Sequence, residues 1–229
     1  MKHILLLFTI LISFNTFTNA QNYKREYAKI AKESIIKLND GVLLVRLTTK
    51  EKTINALKKR NQLTAAKRYE KEQKALNATI VSAFEMNFDF CPIYYFYSDQ
   101  SKKIKANNLS EVTWVNSKTM ATDTSIIVDN DNFLVAEFGI LAQDTAKYFS
   151  SYERFSDGKK GLEIRETYYG GSNLSQKGLI VKSNEYVPLP KPFPRFTKTS
   201  MFEDKEVVYI KAVKKLNEKL TDYSIKIGN

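Results

Sequence analysis

Val42-Leu43-Leu44-Val45-Arg46-Leu47 and Phe90-Cys91-Pro92-Ile93-Tyr94-Tyr95-Phe96-Tyr97 bracket the charged stretch Lys50–Asn87, and these three pieces decide the fold. The first is a short β-rich apolar run, interrupted by Arg46, between the turn residues Asn39-Asp40-Gly41 and Thr48-Thr49, as expected of a mostly buried strand. The last is aromatic and β-branched with a proline near its head, which suits a strand and not a helix start. Between them, Ile54 and Leu57, then Ala65, Tyr69, Leu76, Ile80 and Phe84, recur at helical spacing. Asn61–Thr64 breaks the pattern, so two helices are expected, with Thr64 as N-cap of the second. Strand, helical crossover and strand make a parallel βαβ unit.

Working outward, Tyr27, Ile30, Ala31, Ile35 and Leu38 put one apolar face on a helix over Tyr23–Leu38. Downstream, Val112–Val115 is expected as a strand, and Ser125–Val128 with Phe133–Ile140 as a hairpin around Asp129-Asn130-Asp131-Asn132. The alternating acids of that turn do not make an EF-hand loop. Counting from Asp129, the required glycine and glutamate positions hold Leu134 and Ile140. Asp144–Tyr152 reads as a short helix, Leu162–Tyr169 as a strand with one wet face, and Gly170–Asn173 as a turn. Gly178–Lys182 and Tyr186–Leu189 read as paired strands, and Glu203–Leu220 as a closing helix with the stripe Tyr209, Val213, Leu216, Leu220. The fold class is α/β: a single domain over residues 21–229, with a central mixed β-sheet flanked by helices.

Met1–Ala20 has the form of a secretory signal peptide. A basic start at Lys2 is followed by the apolar run Ile4–Phe14 and a small-residue exit, with cleavage predicted before Gln21. The run is shorter than the roughly 20 residues a bilayer-spanning helix needs. No cysteine follows it, so a lipoprotein ending is not expected, and the product is expected secreted or periplasmic, not integral to a membrane. The abundance of Lys, Asn and Ile resembles the composition of exported proteins from AT-rich bacteria. Cleavage takes away Lys2 and the one histidine, His3, lowering the formal charge from +11 to +10. A chain without histidine lacks the usual general base near neutral pH and the commonest transition-metal ligand. Serine or cysteine nucleophiles paired with histidine are thereby excluded, and one cysteine cannot complete a Cys₄ zinc site. No metal and no cofactor are expected.

Cys91-Pro92 at a strand resembles the thiol-proline pairing of thioredoxin-like proteins, and the closing strand, turn, strand and helix over Gly178–Leu220 resemble the second half of that fold. The resemblance implies a thioredoxin-like topology. Its redox activity does not carry over, because no Cys-x-x-Cys is present; Cys91 is expected to be a buried packing residue. Asp157–Gly161 resembles the Gly-x-x-Gly loop of one RNA-binding fold, which needs a helix on each side, whereas Leu162 onward reads as strand. Glu163 and Glu166, three apart on a strand, point to opposite faces and do not form an acid–base pair. Sequons fall at Asn77, Asn108 and Asn173.

Four of the five prolines lie between Tyr186 and Phe196. They are expected to hold the segment out of the sheet as a polyproline II strip. Lys191, Phe193, Arg195 and Phe196 on that strip are the candidate partner-binding residues. The basic charge is interspersed with acids, as in Lys67-Arg68-Tyr69-Glu70-Lys71-Glu72, which is how solvated helix faces look. The expected function is non-catalytic binding or a structural role outside the cytoplasm. Its partner is a protein at the proline strip or, second, a polyanionic envelope polymer, and not nucleic acid. The rival is a carboxylate-dependent hydrolase, with Glu137, Asp144 and Glu166 as candidate acids.

Overall fold

The computed structural model describes residues 24–141, 146–156, 159–169, 176–200 and 203–228. Strand β1 (Val42–Leu47) is its centre: four consecutive buried apolar residues leave no wet face, so both neighbours must be strands and both faces must be covered. Helix α1 (residues 24–39) precedes it. Helices α2 (Glu51–Lys59) and α3 (Leu63–Asn87) then carry the chain to β2 (Ile93–Tyr97), which pairs in parallel with β1 in register Leu43↔Ile93 to Leu47↔Tyr97. The break between α2 and α3 sits at Asn61, whose positive φ of 56° ends the first helix. Gln62, not Thr64, is the N-cap of α3, and it makes no side-chain capping bond.

Short helix α4 (Ser101–Lys105), β3 (Trp114–Val115) and β4 (Thr122–Asp123) extend the sheet beyond β2, followed by β5 (Phe133–Leu141). β5 pairs with β1 in parallel, Val42↔Phe133 to Val45↔Ala136. This corrects the expected hairpin: residues 125–128 form no strand, and Val128 instead covers the core from a loop. β8 (Gln176–Lys182), β9 (Phe196–Lys198) and helix α5 (Lys205–Gly228) close the chain. β8 and β9 are antiparallel, and the sheet order is β4-β3-β2-β1-β5-β8-β9. The partner of β8 is β9. The expected Tyr186–Leu189 strand contributes only one bridge, Lys182↔Pro188.

Period-two alternation sends each strand to two cores. Leu43, Val45 and Leu47 of β1 join Leu134, Ala136, Leu179 and Val181 under Ala31, Ile35 and Leu38 of α1, Phe84 of α3, and Val213, Leu216 and Leu220 of α5. Val42 and Leu44 join Phe133, Val135, Phe96, Trp114 and Ile104 on the other face, beneath α4 and loops. Gly41 is needed where α1 meets β1: a Cβ there would lie 2.0 Å from Asn132 O and 2.4 Å from Lys37 O. Cys91 belongs to the first core, and burial pushes its thiol up to about 12, as befits a packing residue.

Residues 140–177 form a separate compact unit. Within it β6 (Ala146–Ser156) and β7 (Lys159–Tyr169) pair antiparallel over their whole length. β6 replaces the helix expected at Asp144–Tyr152. Its aromatic residues Tyr148, Phe149 and Tyr152 favour a strand once an antiparallel partner is present. Asp144, the Asp157-Gly158 pair and the turn expected at Gly170–Asn173 lie outside the described residues. Among the described residues no helix is long and apolar enough to cross a membrane.

Candidate functional site

On the face of β1 that carries Val42 and Leu44, the next residue is Arg46; on β5, after Phe133 and Val135, it is Glu137; on β8, after Ile180, it is Lys182. Pleating therefore lines up a cation, a carboxylate and a cation on three adjacent strands. Arg46 Nη1 donates to Glu137 Oε2 at 2.7 Å, and Lys182 Nζ donates to Glu137 Oε1. Arg46 Nε donates to Ser101 Oγ at 2.9 Å. Ser101 Oγ in turn donates to Ser98 O, and Ser98 Oγ accepts from Thr49 N. The Tyr186 ring lies beneath the guanidinium, 5.8 Å from its centroid to Cζ. Its hydroxyl is buried against the Ser101 side chain, and burial raises its pKa.

This cluster stands at the carboxyl end of β1, level with the middle of β5. The chain steps from β1 to β2 on one side and returns to β5 on the other, so the strand order reverses between β1 and β5. The crevice outside such a reversal is where open α/β sheets bind ligands. Of the candidate hydrolase acids, Glu137 alone is placed here, and it is held by two cations. Asp144 is outside the described residues, and Glu166 sits on β7, paired with Phe149.

A second feature is the α2–α3 hairpin. Residues 50–74 hold nine cations against three acids, +6 of the chain's +11. All nine cations are exposed. Lys58 pairs with Glu70 at 2.7 Å and Arg68 with Glu72 at 3.7 Å. The hydrogen bond from Lys58, with Lys74 and Lys67 nearby, holds the Glu70 carboxyl below its usual range. No run of five like charges marks this excess in the sequence. Summing over a helical hairpin is the signal that finds the excess.

A third feature is a cleft of about 330 Å³ between the end of α3 and α5, lined by Glu85, Asp89, Lys214, Asn217 and Glu218 among others. Two of these three acids have structural work. Glu85 accepts from Tyr95 Oη at 2.9 Å, and Asp89 accepts from Asn217 Nδ2 at 2.6 Å. Asn217 Oδ1 also accepts from the backbone N–H of Asp89 and Phe90. The cleft is a helix-to-turn clasp.

The proline segment is folded back and not extended. Phe193 N donates to Pro190 O at 3.1 Å, closing a turn over the cis Lys191–Pro192 bond. Phe193 is only 2% exposed and meets Tyr223 edge to face, with ring centroids 6.2 Å apart. Arg195 Nη1 donates to Leu189 O at 2.8 Å. Phe196 is half-buried in β9, and Lys191 is exposed. The four expected partner-binding residues are thus split between core, turn and surface. Sequon residue Asn77 is likewise buried, its Nδ2 donating to Thr48 O and its Oδ1 accepting from Gln73. Among the described residues no three or more histidines, cysteines or acids converge as for a metal.

Compared with protein-family models, curated proteins and solved structures, the chain matches none.

Proposed function

We propose that the protein is exported and acts as a non-catalytic binding protein for an anionic polymer of the cell envelope or extracellular space, held by the α2–α3 hairpin. The observation that carries this reading is the +6 concentrated on residues 50–74 and exposed along two helices. Clustered exposed cations attract a polyanion by charge and by release of its counterions, with no need for a shaped pocket. The non-catalytic reading is supported by the expected departure of His3 with the signal peptide and by the engagement of Glu85, Asp89 and Glu137 in structural bonds.

Burial of Phe193 and closure of the proline turn turn the reading away from a protein partner there and toward the polymer. The test is retention of the chain on a sulfated-polysaccharide resin. Changing Lys59, Arg60, Lys67, Lys71 and Lys74 to Gln is expected to abolish retention at physiological salt, while changing Lys211, Lys214, Lys215, Lys219 and Lys226 of α5 leaves most of it. Equal loss from the two sets would reduce the reading to bulk charge.

A further inference from the structure

Resting on the polymer reading and deepening it, we infer that the polymer is a linear polyanionic saccharide that lies lengthwise along one face of α3, over Lys67, Lys71 and Lys74, and leaves that face before Glu85. Spacings of four and three residues put these lysines in one row, about 10 Å from first to last at 1.5 Å per residue. All three are exposed, as is Ala78, the next residue of the row. The acids Glu70 and Glu72 are drawn to the flanks. Glu72 pairs with Arg68, and Glu70 Oε1 is held by Lys58 of α2 at 2.7 Å, with Lys67 and Lys74 acting on its charge from farther off.

Lys67 and Lys71 stand four apart, a spacing at which like charges repel along a helix. The flank of the same helix uses that spacing for an attractive pair, Arg68 with Glu72. The row therefore costs the free helix stability, and successive anions on an added chain relieve it. Lysine and not arginine fills the row. Each ammonium is a hydrated point charge without the planar fork that selects one oxyanion shape, so the row reads the line charge of a polymer and not a single group. Glu85 sets the end of the track. Five full turns after Lys67 it returns to the same face of α3, where it accepts from Tyr95 Oη at 2.9 Å. An acid there turns the polymer back toward the α2–α3 turn, where Lys59 and Arg60 are exposed.

Ala78 lies between Lys74 and Glu85, so Ala78→Lys lengthens the row by one cation. Ile225→Lys adds the same charge at a 59% exposed position near the far end of α5. The mature parent and variants are titrated with heparin over a range of sodium chloride, with Trp114 fluorescence reporting the fold. In Ala78→Lys the slope of log K against log salt is expected to steepen by about 0.7, and affinity to rise about fivefold at about 0.1 M salt, the effect of one added contact. Ile225→Lys is expected to change neither, and Ala78→Glu to weaken binding. No gain in Ala78→Lys, an equal gain in Ile225→Lys, or undiminished affinity in Ala78→Glu would overturn the track while leaving the polymer reading in place. Absence of heparin binding by the parent would overturn both.

Discussion

Replacing Glu137 by Gln removes the one negative charge that Arg46 and Lys182 both contact while keeping the shape of the side chain. Two cations on nearby strands then face each other across an amide. Truncating one partner of a fully buried ion pair costs about 3–5 kcal/mol. Here exposures of 13–27% let water reach the survivors, which brings the expected cost to about 2–3 kcal/mol. With a urea m-value of about 2 kcal/mol/M for a chain of this size, the unfolding midpoint falls by about 1–1.5 M. Trp114, 2% exposed, reports unfolding by fluorescence. Lys182→Met is the companion variant. It leaves Arg46 and Glu137 as a one-to-one pair, so its cost is expected to be smaller, about 1 kcal/mol, and the double variant is expected to cost less than the sum. A midpoint shift under about 0.3 M for Glu137→Gln, or a larger loss for Lys182→Met, would refute the reasoning.

Alkaline pH is expected to destabilise the fold. The Cys91 thiol is pushed up to about 12 from an ordinary 9.0, so above pH 9 the unfolded chain binds fewer protons than the native one and stability falls by up to about 1.4 kcal/mol per pH unit. Burial raises Tyr95, Tyr97, Tyr186, Tyr209 and Tyr223 in the same direction. Urea midpoints between about pH 8 and 10.5 are expected to fall less steeply in Cys91→Ala. Gly41→Ala, whose methyl would meet the backbone oxygens of Asn132 and Lys37, is expected to cost at least about 2 kcal/mol in the same assay, with Gly139→Ala, which meets nothing closer than 3.6 Å, as a mild control. Asn217→Ala, which strips acceptors from two backbone N–H groups and a donor from Asp89, is expected to cost about 1–3 kcal/mol.

The βαβ core was legible because its signals are local: the apolar run of β1, the helical spacing of Ile80 and Phe84, and the aromatic run of β2 each state their own conformation. Parallel pairing of β5 with β1 was not. Phe133–Ile140 reads as a strand, but whether it turns back on residues 125–128 or crosses to β1 depends on which long-range partner buries Leu134 and Ala136. The β6 strand was hidden for the same reason, since its conformation depends on pairing with β7. At the proline segment the expected extended strip gives way to a bridge at Pro188, a strand at Phe196 and an inward turn of Phe193 that depends on Tyr223 of α5, thirty residues on. Arg46, Glu137 and Lys182 are separated by 91 and 45 positions. Glu137 was picked out in the sequence as a candidate acid, but nothing local shows that two strands bring cations to it.

The most direct test of the polymer reading is the salt dependence of binding to a soluble sulfated polysaccharide, measured on the mature chain by isothermal titration over a range of sodium chloride. Seven cations of residues 50–74 lie outside the Lys58–Glu70 and Arg68–Glu72 pairs. Their engagement predicts that log K falls linearly with log salt, with a slope of about −5, reduced to about −1.4 when Lys59, Arg60, Lys67, Lys71 and Lys74 are Gln. Binding that is absent at low salt, or a slope unchanged by those five substitutions, would contradict it.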